Sequence, residues 1–470
     1  MNSVMAVLAV AATLLAYTVA SAQPSPATQP PPPATQQPTT QPAPPQPSPP
    51  VQPAPAPPPG AATVAARVLT LDEAVAIALE TQPQIQARLF DYAAARFRVD
   101  QALAPLLPQI TGSASATRSQ SNLIPSTGAT TTPITFSRNF DQTFVAQVAL
   151  SQLLFDFGKT MAGRDAAKKL EAVALEDVEL QRQLIALAVK EGYTNMLFAQ
   201  RLIRVNQQAL DRAELNLKSA RGFFEVGTRP KSDVARAEVD VANARLDVIR
   251  ARNAERLARV ALNTAMGIDV DTPTQVQDNL VYEPVTLDRA ALRAEALRER
   301  PEMRQARLAA ESREALERQA FRNFFPDITG SGAYGGARPE LGEFWSATLS
   351  LSWTLYDGGG RVARYREAKA NLDAARARVK ATELDIIQNV EQAELVVLEG
   401  AERIQAAQAA VASAQENFRL AQGRFDAGVG TILELTDAQL ALTQAQNTET
   451  QALADFRIAI YRLDRARGRR

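Results

Sequence analysis

The sequence has no cysteine and no histidine. The first absence removes disulfides, thiolate metal sites, cysteine nucleophiles and lipid attachment through an N-terminal cysteine. The second removes the usual general base and the commonest transition-metal ligand, so catalysis would have to run on carboxylates, lysine, serine or tyrosine. No cofactor, metal or catalytic residue is expected. An excess of either charge is missing too: 51 Lys and Arg balance 51 Asp and Glu. No net field draws the chain to nucleic acid, and none is expected as a partner.

What is present is 46% apolar residue over 470 positions, enough for a large core. Residues 4–20, VMAVLAVAATLLAYTVA, form a short apolar run before Ala20-Ser21-Ala22. This predicts a signal peptide over 1–22, cleaved after Ala22. A membrane anchor is the alternative, although the run sits near the lower limit of the ~20 residues that span a bilayer, and no Lys or Arg precedes it. Residues 23–64 follow as a Pro-rich spacer, holding 18 of the chain's 29 prolines. That composition favours extended polyproline II over a packed core; a Pro-rich docking ligand is the other reading.

Beyond residue 65 the chain repeats itself. LTLDEAVAIALETQPQI (69–85) returns as VTLDRAALRAEALRERPEM (285–303), LLPQITGSASA (106–116) as FFPDITGSGAY (324–334), LLFDFGKTMAGRDAAK (153–168) as TLYDGGGRVARYREAK (354–369), and GFFEVGT (222–228) as GRFDAGV (423–429). Two repeats are predicted, 65–267 and 285–468. Pro108 maps to Pro326 at an offset of 218, whereas Phe155 to Tyr356 and Gly227 to Gly428 both give 201. The 17-residue difference falls in the polar segment 117–138, so the first repeat carries the longer loop.

Each repeat reads as short helix (72–81, 288–299), medium helix (84–104, 302–323), two strands (108–117 with 140–154; 326–335 with 344–355), long helix (159–223, 360–425) and last helix (230–266, 431–466). A helix of 65 residues is on the order of 100 Å long, too long for a globular core. In the last helices Val234, Ala237, Val241, Ala244, Val248, Ala251, Ala258 and Leu262 keep steps of three and four broken only by Glu255, as do Leu435, Ala438, Leu442, Ala445, Ala452, Phe456, Ala459 and Leu463, broken only by Glu449. That stripe predicts a coiled-coil seam; an ordinary amphipathic bundle helix is the alternative.

The strands are two-faced. In WSATLSLSWTLY (345–356), Trp345, Ala347, Leu349, Leu351, Trp353 and Leu355 alternate with Ser and Thr, and in 140–155 Phe144, Ala146, Val148 and Leu150 oppose Thr143, Gln147 and Ser151. An apolar ribbon of this length suits a tilted strand crossing an outer membrane, where ~9–11 residues suffice. A half-buried sheet under helices of a soluble protein is the other reading. Four strands cannot close a barrel, and open edges in hydrocarbon leave backbone groups unpaired at several kcal/mol each. Two copies would make a filled eight-stranded barrel, three a twelve-stranded one with a lumen. An open conduit favours three.

The duplicated order of helices, LLPQITG strand, LFDFG or LYDGG strand end, long helix and glycine turn resembles the TolC-type outer-membrane efflux proteins over about 68–468. The resemblance implies a homotrimer: a twelve-stranded β-barrel in outer-membrane lipid, four strands per chain, continued by a long α-helical coiled-coil tunnel through the periplasm. It implies a passive exit duct without chemistry of its own, for efflux of drugs or metals or for type I secretion. Its partners would be a periplasmic adaptor and an inner-membrane pump of RND, ABC or MFS type. The lipid-facing residues would be Phe144, Val148, Trp345, Leu349, Leu351 and Trp353. The tips at 223–234 and 424–435 would meet the adaptor through Gly227, Thr228, Gly428, Val429 and Gly430. Glu434 and Asp437 match two acidic residues that line the entrance in this family. Thr431 and Glu434 also form a capping-box pattern, so helix capping competes for Glu434. The family's basic latch residue is Gly430 here, and Arg229 with Ser232 and Asp233 is the candidate replacement. Two other classes stand against the duct: an exported, non-conducting trimeric coiled-coil tether, and a carboxylate hydrolase, which would need acids flanking a cleft.

Overall fold

The computed structural model describes residues 68–122, 138–338 and 342–470. The predicted signal peptide, the spacer and most of the long polar loop lie outside the described residues. Each repeat opens on a parallel strand residue pair: β1 (Val68–Leu69) lies beside β4 (Gln275–Val276). Then come α1 (Leu71–Thr81) and α2 (Pro83–Leu103), and their relatives α5 (Arg289–Glu299) and α6 (Pro301–Arg322). Thr70 and Glu73 cap α1 reciprocally, and the Asp288 carboxylate caps α5 by accepting from the amides of Ala290 and Ala291. Pro83 and Pro301 break each pair and start the next helix, where a missing N–H costs nothing.

The strands are β2 (Gln109–Asn122), β3 (Arg138–Phe155), β5 (Asp327–Arg338) and β6 (Gly342–Ser352), paired antiparallel in the order β2-β3-β5-β6. β2 and β3 extend further into the polar segment than their sequence suggests. β6, conversely, stops before Trp353. The long helices α3 (Lys159–Glu225) and α7 (Gly360–Asp426) have 67 residues each, about 100 Å at 1.5 Å per residue. They turn back into α4 (Lys231–Met266) and α8 (Ile432–Ala466).

A two-glycine-like turn joins each strand pair to its long helix. Phe157 (φ 53) and Gly158 (φ 82) stand in the left-handed region, as do Gly358 (φ 66) and Gly359 (φ 87). The carboxylate of Asp156 accepts from the amides of Gly158 (2.9 Å) and Thr160 (2.6 Å), and Asp357 accepts from Arg361 N (2.8 Å). Burial would raise the Asp156 pKa, but bonds from Thr160 and Gly158 outweigh it and hold the carboxyl below its usual range. Phe157 is the one non-glycine with positive φ among the described residues, and its ring is held by Phe155 at 4.8 Å and Phe325 at 5.3 Å.

The stripe of small residues on α4 and α8 is buried against the long helices. Ala237, Val241, Val248, Ala251 and Leu262 are buried on α4, and Leu435, Ala438, Leu442, Ala452, Phe456, Ala459 and Leu463 on α8. Glu255 interrupts the α4 stripe yet is buried, because Arg259 pairs with it one turn on. Midway along α3, Tyr193 is buried with its hydroxyl 3.0 Å from Leu69 O and 2.8 Å from Gln277 O, tying the β1–β4 pair to the long helix. Burial pushes this phenol up to about 12. Because the folded-state value lies above the unfolded value near 10, the contact is intact below pH 10 and is lost as pH rises through about 12. Tyr193→Phe should cost about 0.5–1.5 kcal/mol by removing the hydroxyl's hydrogen bonding to Leu69 O and Gln277 O. A thermal-unfolding series from pH 8 to 12 should show a lower midpoint at pH 8 and a flatter alkaline decline than the parent.

Candidate functional site

The residues singled out in the sequence fall in two regions: the sheet and the tips of the helical hairpins. In the sheet, directly paired residues share a face. One face runs Ile110, Leu150, Gly332, Ala347 in one row and Gly112, Val148, Tyr334, Trp345 in the next. The other runs Thr111, Ala149, Ala333, Ser346 and then Ser113, Gln147, Gly335, Phe344. The first face is apolar and open. Trp345 is 78% exposed and Leu349 72%, with Ile110, Val148, Leu150 and Leu351 also exposed and Phe144 just past the half-buried range. A patch of this kind on a protein in water would be a liability; against acyl chains it is a match.

On the polar face Gly335 is required by close packing, since a Cβ there would lie 2.5 Å from Ala146 O and 2.9 Å from the Phe344 ring. The Phe344 side chain lies across the glycine on the Ser/Thr face, an exception the alternation does not announce.

Trp353 lies just past the end of β6, which stops at Ser352 rather than at the predicted residue 355, and its side chain is exposed. Its indole donates to Phe324 O at 3.0 Å, which pins the chain as it leaves the sheet. Phe155, Phe157, Phe325 and Phe321 form a chain of ring contacts, and all four are exposed, as is Tyr356. From Trp345 to Trp353 an extended chain covers about 27 Å, close to the ~25 Å apolar band of an outer-membrane barrel with aromatic girdles at both rims. Among the described residues no helix is long and apolar enough to cross a membrane, which says nothing of strands.

At the opposite end of the helices, both turns are closed by a left-handed glycine. Gly227 (φ 77) donates to Phe224 O and Thr228 N to Phe223 O, both at 2.9 Å; Gly428 (φ 79) donates to Phe425 O and Val429 N to Arg424 O, both at 3.0 Å. This is the Schellman arrangement, and it leaves Val226 and Val429 each 71% exposed at the apex. Thr228 is exposed as well, whereas Gly430 is buried.

The two tips touch. Phe223 and Phe425 meet edge to face at 5.6 Å over a small core of Ala421, Ile432, Leu435 and Ala438. Arg229 crosses from the first tip to the second: its guanidinium donates to Gly430 O at 2.5 Å, lies 4.8 Å over the Phe425 ring, and stands 3.8 Å from Asp233. Arg229 and Asp233 therefore come together, while Ser232 is exposed and outside the contact. By the internal repeat Arg229 occupies the place that Gly430 has in the second tip, 201 residues on. A side chain at 430 would collide with the Arg424 backbone at 2.9 Å.

Thr431 caps α8, and Glu434 takes part through its amide only. Its N–H donates to Thr431 Oγ1 at 3.2 Å, but no reciprocal bond closes the box; the carboxylate instead faces Arg424 at 3.5 Å. The full capping box expected there is thus half formed. Asp437, one turn on, is exposed. Among the described residues no cluster of acids is arranged to hold a metal.

The chain matches the family model described as outer membrane efflux protein over residues 74–268 and again over 292–469. It is similar to nodulation protein T of Rhizobium leguminosarum bv. trifolii, 24% identical over 323 residues that cover 67% of this chain and 69% of the relative. It is also similar to the alkaline protease secretion protein AprF of Pseudomonas aeruginosa, 25% identical over 400 residues, 82% of each. Among solved structures, the CmeC outer membrane channel of Campylobacter jejuni shares the fold with a TM-score of 0.73 over 85% of each chain at 18% identity. Neither the tether nor the hydrolase reading finds support in these likenesses. The chain belongs to the outer membrane efflux protein family, channels of the bacterial outer membrane with a periplasmic helical tunnel.

Proposed function

We propose that three copies of this chain form the passive exit duct of a tripartite efflux pump or type I secretion system. The observation that supports it best is the four-stranded sheet with one largely apolar face and, among the described residues, both edges unpaired, mounted on 67-residue helices. Hydrocarbon does not tolerate such edges, so further strands must come from other copies, and twelve leave a lumen. The apolar face with Phe144, Val148, Trp345, Leu349 and Leu351 meets lipid. The exposed apices, Val429 and Thr228 beside Gly227 and Gly428, meet a periplasmic adaptor, which joins the duct to an inner-membrane pump of RND, ABC or MFS type. Substrate choice belongs to that pump.

At the mouth, Glu434 and Asp437 from three copies would place six carboxylates around one axis, attracting cations. Arg229 would act as the latch that holds the two tips of each copy together. Purified protein in planar bilayers should give stepwise, cation-preferring current, and the Glu434→Gln, Asp437→Asn double variant should lose much of that preference. Absence of any conductance sinks the duct; unaltered selectivity in the variant removes both acids from the lumen.

A further inference from the structure

The two repeats have different surroundings. α6 packs on both α3 and α7, whereas α2 packs on α3 and leaves Phe90 and Phe97 exposed on its other flank. Likewise α3 is covered by both α4 and α8, while α7 is covered by α8. Equivalent positions show the difference: Thr194 of α3 is 2% exposed and its mate Leu395 of α7 is 55% exposed; Tyr461 of α8 is buried and its mate Val260 of α4 is exposed. Each repeat therefore carries apolar surface where the equivalent position of the other is already covered, and the missing cover has the shape of the other repeat.

The strands allow this to be stated residue by residue. The hairpin β2–β3 pairs Gln109 with Ser151 and Gly112 with Val148; β5–β6 pairs Asp327 with Ser352 and Gly330 with Leu349. The sequence offsets of 218 and 201 carry each of the first pairs onto the second without a slip. The seam between the repeats, β3 on β5, pairs Val148 with Tyr334, Ala149 with Ala333 and Leu150 with Gly332. Carried forward by the same offsets, it becomes a seam between β6 and the β2 strand of another copy.

Resting on the assembly proposed above, we infer that the free edge of β6 pairs with β2 of a second copy of this chain in one register: Leu349 opposite Ala116, Ser350 opposite Ser115, Leu351 opposite Ala114. The register keeps apolar partners on the lipid face and hydroxyl partners on the other. A one-residue slip would put Leu351 opposite a serine of the wrong face. Below the sheet, α7 then packs between α2 and α4 of that copy, covering Leu395, Phe97 and Val260.

The absence of native cysteine makes the test clean. Directly opposed strand residues lie ~4.5–5.5 Å apart at Cα, within disulfide range. Full-length Leu349→Cys/Ala116→Cys and Ser350→Cys/Ser115→Cys proteins, oxidised in detergent, should run as covalently closed trimers on non-reducing gels. Coexpressed single variants should give linked dimers only, which shows that the bond is between chains. The two pairs lie on opposite faces, so one survives a folding defect in the other. Stronger linkage at Leu349→Cys/Ala114→Cys than at Leu349→Cys/Ala116→Cys, with trimers still seen by light scattering, overturns the register and leaves the duct standing. A monomer by light scattering of the unaltered protein overturns the assembly itself.

Discussion

Leu349→Arg should prevent stable trimers from accumulating in the outer membrane, while Ser350→Arg, its neighbour on the same strand, should be tolerated. Leu349 sits in the middle of β6 on the open apolar face, 72% exposed within one copy, and arginine at mid-bilayer on a barrel's lipid face costs about 2–4 kcal/mol. The cost recurs in every copy, so the assembly bears it three times. Ser350 points to the opposite face beside Thr329, where water is at hand and a long cation reaches it. The midpoint of heat dissociation of the purified trimer compares the two directly. An equal loss at both positions would mean that the faces have been assigned wrongly, and no loss at either would remove the sheet from the membrane.

Arg229→Ala should loosen the mouth of the tunnel without unfolding it. The side chains of Arg229 and Asp233 are only 15% and 14% exposed, so their interaction is not the screened surface pair that contributes little. The lost hydrogen bond from a charged donor to Gly430 O amounts to about 1.5–3 kcal/mol, and the lost contact with Phe425 to about 0.5–1 kcal/mol. In bilayers the variant should show larger or longer-lived open steps, with only a modestly lowered unfolding midpoint. Arg229→Lys should fall between, because an ammonium keeps the charge but not the planar stack on Phe425. Single-channel traces identical to the parent would dismiss Arg229 as a latch, whatever its effect on stability.

The helices and strands were legible because periodicity reports local environment. Steps of three and four along α8, strict alternation along 345–352 and Pro83 and Pro301 at helix starts each reflect a physical preference acting within a few residues. The turn chemistry was legible only in part. DFG and DGG mark the strand-to-helix corners, yet nothing in the letters says that Asp156 caps α3 or that Phe157 accepts a left-handed backbone. That depends on Phe155 and Phe325, the latter far along the chain. The end of β6 is illegible for a similar reason: the alternation continues past Ser352, but the strand stops there and the Trp353 indole bonds to Phe324 O, a contact the letters do not announce.

The tip shows the limit most clearly. Read linearly, Gly430 is a lost basic residue and Thr431 to Glu434 a complete capping box. In three dimensions the guanidinium of Arg229 reaches the Gly430 carbonyl across 201 residues, and the Glu434 carboxylate is turned toward Arg424. Only the crossing of two hairpins could bring those groups together.

By itself the sequence determined the duplication, the lengths of the helices, the two-faced strands and the need for further copies, since these follow from spacing, composition and the hydrogen-bonding demands of a backbone in hydrocarbon. The tertiary structure decided which repeat covers which, where each strand ends and which side chains meet at the tips. Those outcomes rest on contacts between residues hundreds of positions apart, about which local preference carries no information.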